Sequence, residues 1–202
     1  MVNIAGIHVE DVRFPTSKDL TGSDAIHTDP DYSATYVTIN TSEPKLKGFG
    51  IAFTIGKGND IVAECIRNYI PIFDGLSIKE VEKNIGKLWF DCVDHSQLRW
   101  LGPEKGVVHM AVAALFNALW DLISKKNKKP LWKFVVESNP ETIMSWLTFK
   151  HIEDVMTKDD AYKILIENQK FIKERINLIL KEGYLSYPTA AGWLGYSNEK
   201  II

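Results

Sequence analysis

The segment GFGIAFT, residues 48 to 54, limits the fold more than any other stretch of this chain. It alternates as a strand does, with Phe49, Ile51 and Phe53 on one face and Gly48, Gly50 and Ala52 on the other. Glycine weakens a strand unless its bare face is needed, so the small face predicts another element packed very close to the backbone. Upstream, YVTIN (36 to 40) alternates through Val37 and Ile39. IAGIHVEDVRF (4 to 14) alternates at Ile7 and Val9 and then shifts phase to Val12 and Phe14, which predicts a bulge or bend. The turn NTSEPKLKG joins the later two strands, so the first fifty-odd residues read as a three-stranded antiparallel meander.

Helices follow. Asn59 or Asp60 can cap a helix running to about Ile72, with Pro71 marking its end. Ser77 with Glu80 forms a capping box that opens a second helix. A third is expected from near Pro103-Glu104 to about Lys126. Along it Val108, Ala111, Leu115, Ala118 and Leu122 make an apolar stripe, and Asn117, Asp121 and Lys125 a polar one. KPLWKFVV reads as a short helix or turn. One long amphipathic helix is expected after it, with Thr157 as N-cap, Asp159 and Asp160 in its first turn and Gly183 at its end. A last apolar stretch, YLSYPTAAGWLGYS, reads as a further strand, and another helix starts at NEKII. A meander followed by helices makes the fold class α+β.

The net charge of −2 argues against a nucleic-acid or anionic-membrane surface, both of which need a basic excess. The most apolar run, VVHMAVAALFNALW, is interrupted by His109 and Asn117 and falls short of a membrane span. The N-terminus has the features of neither a signal peptide nor a transit peptide. Cys65 and Cys92 lack metal-type spacing and read as buried thiols of a reducing compartment.

Most local motifs resolve to structure. Gly56 and Gly58 lie between a strand and a helix as in a dinucleotide loop, but Ile61 replaces the third glycine and the strand belongs to a meander, so a tight turn is expected. Asp29-Pro30-Asp31 fails as a calcium loop, since Ala34 and Asn40 stand where Gly and Glu are needed. The five histidines are scattered, and KKNKK reads as a solvated helix end. No nucleophile elbow, Walker loop or zinc spacing is present.

One segment stands apart. A hairpin needs about two to five connecting residues, yet fifteen, Thr16 to Pro30, separate the first two strands. The stretch GSDAIHTDPDYS (22 to 33) fills that connection with Ser23, Asp24, His27, Asp29, Asp31 and Tyr32. Those groups could bind hydroxyls, metals or protons; the structural alternative for Asp24 and Asp29 is an Asx-turn, favoured for Asp29 and not for Asp24.

The helix MAVAALFNALWDLISKKNKKPLWKFV resembles the signature helix of the mandelate-racemase-like branch of the enolase superfamily, with Ala111, Ala114, Leu115, Ala118, Asp121, Lys125 and Pro130 in place and Phe116, Ser124 and Phe134 departing from the pattern. DVRFPTS, GSDAIHTDPDYSATYV, GFGIAFTIGKG, QLRWLGPEKGVVHMA and AAGWLGYSNEK are similar to L-fuconate dehydratases, a family whose vertebrate relatives are usually called mitochondrial.

The resemblance implies an enolase N-terminal-like capping domain at residues 1–136, a helical insert or connection at 137–183, and the start of a truncated (β/α) barrel at 184–202. In that family the meander loop closes the active site, and Gly22, Ser23, Asp24 and Tyr32 fall where a sugar acid is contacted. The implied reaction is removal of water from L-fuconate, giving a 2-keto-3-deoxy acid, with Mg²⁺ stabilising the enediolate. The Lys-x-Lys base, the metal carboxylates and the catalytic His of that pattern are not found, and a barrel of about 250 residues cannot follow Tyr184. The chain is thus expected to carry the specificity lid with no catalytic or metal site of its own. The alternative is a non-catalytic short product acting as a binding or regulatory partner. A small-molecule sugar acid as partner, possible homo-oligomers of the intact protein, and a mitochondrial or cytoplasmic location complete the expectations.

Overall fold

A computed structural model describes residues 1–102, 104–186 and 192–201. Three strands, β1 (Ile4–Arg13), β2 (Ser33–Thr41) and β3 (Lys47–Thr54), pair antiparallel in sequence order, which is the expected meander. The helices are α1 (Asn59–Phe73), α2 (Ile78–Val93), α3 (Val107–Lys126), α4 (Leu131–Val136), α5 (Pro140–Trp146), α6 (Lys158–Gln169), α7 (Ile172–Glu182) and α8 (Asn198–Ile201). The architecture is α+β, one sheet backed by helices.

The bare face of β3 determines how the layers meet. A Cβ on Gly48 would strike the Ala118 carbonyl oxygen and one on Gly50 that of Ala114, so α3 lies directly on the strand backbone. Its stripe of Val108, Ala111, Leu115, Ala118 and Leu122 is buried without remainder. Val9, Val37 and Ile39 supply the sheet side of this core, with Ile66 and Phe73 of α1 and Val81 and Ile85 of α2 flanking it. The polar stripe of α3 has a use as well. It runs along the free edge of β3, where the Asp121 carboxylate accepts from the Phe49 N–H (2.8 Å) and Lys125 donates to the Lys47 carbonyl (3.1 Å). These two bonds cover the start of the edge, at Lys47 and Phe49.

Several expectations are corrected. The register shift in β1 lies between Ile4 and Gly6; from Gly6 to Arg13 the ladder is unbroken. The change of pattern after Val9 arises because the next inward positions, Asp11 and Arg13, meet the start of α1 instead of the apolar core. Asn59 is not a helix cap. Gly58 precedes α1 in a left-handed conformation (φ 87°), and the Asn59 side chain is fully buried. Its Oδ1 accepts from Thr35 Oγ1 (3.0 Å) and Thr54 Oγ1 (2.9 Å), and its Nδ2 donates to Asp11. The Arg13 guanidinium and this amide hold the Asp11 carboxyl below the usual carboxylate range. Pro71 does not end α1, which continues to Phe73; that ring is buried edge-to-face on Phe116, centroids 5.9 Å apart.

The capping box of Ser77 and Glu80 is present as expected. The third helix begins later than Glu104, at Val107, and Pro103 lies outside the described residues. The long helix is two helices. Thr157 caps the first through a box with Asp160, and the chain breaks at Lys170–Phe171 before α7. The break turns Ile172, Ile176 and Ile179 towards Trp132, Val135, Val136 and Ile143, around a cavity of about 410 Å³. Helix α5 was not expected as a separate element, although Asn139, which accepts from the Thr142 N–H (2.7 Å), followed by Pro140 is a legible start signal. It seats on α2, where a Cβ on Gly86 would collide with the Ser145 carbonyl oxygen. For the expected last strand, Leu185, Ser186, Gly192 and Trp193 are not in a strand, and its residues 187–191 lie outside the described residues.

Candidate functional site

The long connection between β1 and β2 is an ordered lid with its own framework. Thr16 is the hub. Its Oγ1 donates to the Pro30 carbonyl (3.0 Å) and accepts from the Tyr32 N–H (3.0 Å), while its carbonyl accepts from the Thr21 N–H (3.1 Å). Asp31 binds the first turn of the loop, its Oδ1 accepting from the Ser17 hydroxyl (2.7 Å) and the Ser17 N–H (3.1 Å). These bonds hold the Asp31 carboxyl below its ordinary pKa. The Asp31 N–H donates to the Ile55 carbonyl (3.1 Å), joining the lid to the turn after β3.

Within this framework the four expected site residues fall into three kinds. Gly22 and Tyr32 are in contact. Gly22 has φ 83°, and a Cβ there would sit 2.6 Å from the Tyr32 ring, so only glycine allows the ring to close over the backbone. Tyr32 also meets Phe53 edge-to-face, centroids 5.4 Å apart, which fixes its orientation. Ser23 is fully buried and its hydroxyl donates inward to the Thr28 carbonyl (2.9 Å). Its backbone N–H likewise donates to the Leu20 carbonyl (3.1 Å), so Ser23 shapes the loop. Asp24 does both. Its Oδ1 accepts from the N–H groups of His27 (2.7 Å) and Ile26 (2.8 Å), which is an Asx-turn and holds its carboxyl below the usual range. The second oxygen stays on the half-exposed side, beside the His27 ring at 3.4 Å. Asp29 is exposed at the rim.

The lid thus presents one carboxylate oxygen and one phenol hydroxyl, while the Gly22 backbone is buried against the Tyr32 ring. That set suits a polyol, whose hydroxyls both donate and accept. The sequence pattern pointed to Asp24 and Tyr32, whereas the roles of Thr16, Ser17 and Asp31 needed the folded loop, because each acts on a residue about fifteen positions away.

Other candidate chemistry does not assemble. Among the described residues no three His, Cys, Asp or Glu side chains gather to hold a metal ion. His151 pairs with Glu104 (2.7 Å), and His95 Nδ1 accepts from the backbone of Gln97 and Leu98 at 3.2 Å each. Burial raises both thiols, that of Cys92 to about 12, so neither is a nucleophile at neutral pH. Gly56-Lys57-Gly58 is the tight strand-to-helix turn that was expected.

No model of a known protein family matches the chain. Similarity to individual proteins is extensive. The chain is 44% identical over 199 residues to mitochondrial enolase superfamily member 1 of Xenopus laevis, covering 98% of this chain and 45% of that protein. It is 42% identical over 201 residues to L-galactonate dehydratase of Hypocrea jecorina, covering 99% of this chain and 44% of that protein. The crystal structure of the human mitochondrial enolase superfamily member 1 superposes with a TM-score of 0.92 at 44% identity, over 98% of this chain and 45% of that one. A racemase from Streptomyces coelicolor with bound magnesium gives 0.53 at 25% identity, over 68% of this chain and 36% of that one. The chain spans about 45% of the length of its curated relatives. With a β-meander, a stacked α3 and a lid loop in one α+β unit, and with this likeness along nearly all of its length, the chain is a homologue of the enolase-superfamily proteins and has the fold of their N-terminal capping domain.

Proposed function

We propose that the chain is the capping portion of a sugar-acid dehydratase and that its Thr16–Tyr32 lid selects the substrate. The observation that carries this reading is the lid itself. The Asp24 carboxylate, beside the exposed His27 ring, and the Tyr32 hydroxyl stand on a loop pinned from within by Thr16 and Asp31, with Gly22 buried against the Tyr32 ring. The likeness to an L-galactonate dehydratase supports a sugar acid as substrate class, and L-fuconate is the member we propose. The whole protein would take the proton next to the carboxylate and release the neighbouring hydroxyl as water, leaving an enol that becomes the 2-keto-3-deoxy acid. Mg²⁺ would supply the charge that stabilises the enediolate. Since the described residues do not gather a ligand set for it, no step on this chain runs through the metal. We extend the mitochondrial location in the relatives' name to this protein on the same footing.

The test uses the whole protein carrying this chain, with L-fuconate, L-galactonate and Mg²⁺, and follows keto-acid formation. Turnover of L-fuconate is expected, with none from the 202-residue chain alone. Tyr32→Phe and Asp24→Asn should each lower kcat/KM by a loss of roughly 0.5–1.5 kcal/mol and leave Mg²⁺ affinity unchanged. Asn keeps the Asx-turn, so the second variant probes the charge and not the loop. Failure to turn over any sugar acid would overturn the reading. Parent-like kinetics in both variants would remove Asp24 and Tyr32 from the site.

A further inference from the structure

The end of the described chain returns to the lid. After α7 it runs exposed through Tyr184 and Leu185, then comes back so that the Leu194 N–H donates to the Ser23 carbonyl at 2.9 Å. The turn closes on itself through the Tyr196 N–H and the Trp193 carbonyl (2.9 Å), with both rings half-buried. Gly195, next to Leu194, sits against the start of the same turn, at Asp19 and Leu20. A Cβ there would fall within 3.0 Å of the Asp19 carbonyl oxygen, a backbone atom that cannot swing aside.

The need for glycine at 195 does not come from the turn. Gly195 does not lie in the left-handed region, so its own conformation is open to any residue. Gly192 provides the contrast, since among the described residues nothing lies nearer to its Cβ position than the Ile201 side chain at 3.8 Å. Of the two glycines, only the one facing the lid is sterically required. Gly195 touches Asp19 and Leu20, and Leu194 bonds Ser23, so the segment holds both ends of the short turn that contains Gly22, the residue over which Tyr32 closes.

We infer that the Trp193–Tyr196 turn clamps the lid, and that Gly195 is a positioning residue which sets Gly22, Asp24 and Tyr32 in register for a ligand. The hydrogen bond fixes one end of the Asp19–Ser23 turn and the close approach fixes the other. The lid is therefore preorganised by a segment 171 positions along the chain, counted from Ser23 to Leu194. The ligand part of this statement rests on the dehydratase reading; the clamp does not.

Gly195→Ala and Gly192→Ala in the 202-residue chain test it by amide hydrogen exchange. Gly195→Ala should speed exchange at Leu194, Ser23 and Asp24 by about tenfold or more and leave α3 unchanged. Gly192→Ala should match the parent. Equal lid protection in parent and Gly195→Ala would overturn the clamp whatever the protein's activity. In the whole enzyme, Gly195→Ala should raise the sugar-acid KM several-fold with kcat nearly kept. A fall in kcat with unchanged KM would overturn the positioning role, and faster exchange beside a parent that turns over no sugar acid would overturn the dehydratase reading while upholding the clamp.

Discussion

Helices α3 and α7 draw on similar apolar residues, yet one is the core of the molecule and the other is mostly surface. Eleven residues of α3 are buried and none of α7 is. The difference lies in what each helix meets. Helix α3 finds a strand whose inner face is bare at Gly48 and Gly50, so backbone reaches backbone there and Leu115, Leu119 and Leu122 are fully buried. Helix α7 faces the groove lined by α4, α5 and the end of α6, and Leu178 and Leu180 stay 54% and 66% exposed. Apolar periodicity makes a helix amphipathic; burial needs a partner surface of matching depth.

Paired leucine truncations should break this comparison most sharply. Leu119→Ala in α3 is expected to lower stability to urea unfolding by about 2–5 kcal/mol, since it removes a fully buried side chain from a close-packed site. Leu178→Ala in α7 should stay within about 0.5 kcal/mol of the parent. Similar losses at the two sites would show that α7 is buried in solution.

Limited proteolysis asks the same question of whole segments. We propose that the independently stable unit ends near Val136 and that α5 rides on it through its seat against α2. First cuts are expected in the exposed stretch between Leu147 and Thr157 or at the Lys170–Phe171 break, leaving the sheet and α1 to α3 intact. Hydrogen-exchange protection of α7 equal to that of α3 would contradict this boundary.

The smallest effect should separate the lid from the body by pH. Asp24 is held below its ordinary pKa by the His27 and Ile26 amides, and Asp31 by Ser17. A carboxylate whose folded pKa is depressed contributes stability that is complete above its unfolded value of about 3.9 and is lost as pH falls through the folded one. Below about pH 4, lid amides should therefore exchange faster, after correction for intrinsic rates, while those of α3 hold. A lid as steady as α3 at pH 3 would mean that these carboxylates do not order the loop.

Much of the fold was legible because it rests on local patterns. The alternation of β2 and β3, the capping boxes at Ser77 and Thr157 and the apolar stripe of α3 each specify an element within a few residues of themselves. The bare face of β3 went further and announced a close partner before that partner was known. Of the candidate site, its place in the chain and the polar types of Asp24 and Tyr32 were legible, since a fifteen-residue connection rich in hydroxyl-binding groups is unusual in a meander.

What could not be read were outcomes settled by atoms distant in sequence. Asn59 has the residue type and position of a helix cap, and it became a buried hub because Thr35, Thr54 and Asp11 converge on it. Ser23 looked like a ligand group until folding turned its hydroxyl to the Thr28 carbonyl. The break between α6 and α7 brings Ile172, Ile176 and Ile179 to residues of α4 and α5 far earlier in the chain, and the need for glycine at 195 follows from the carbonyl of Asp19. Local propensity and periodicity act over about one turn or one strand pair, so they specify elements. Steric exclusion and hydrogen-bond satisfaction act between whichever groups the fold brings together, and these two decided which polar side chains face inward and which are left for a ligand.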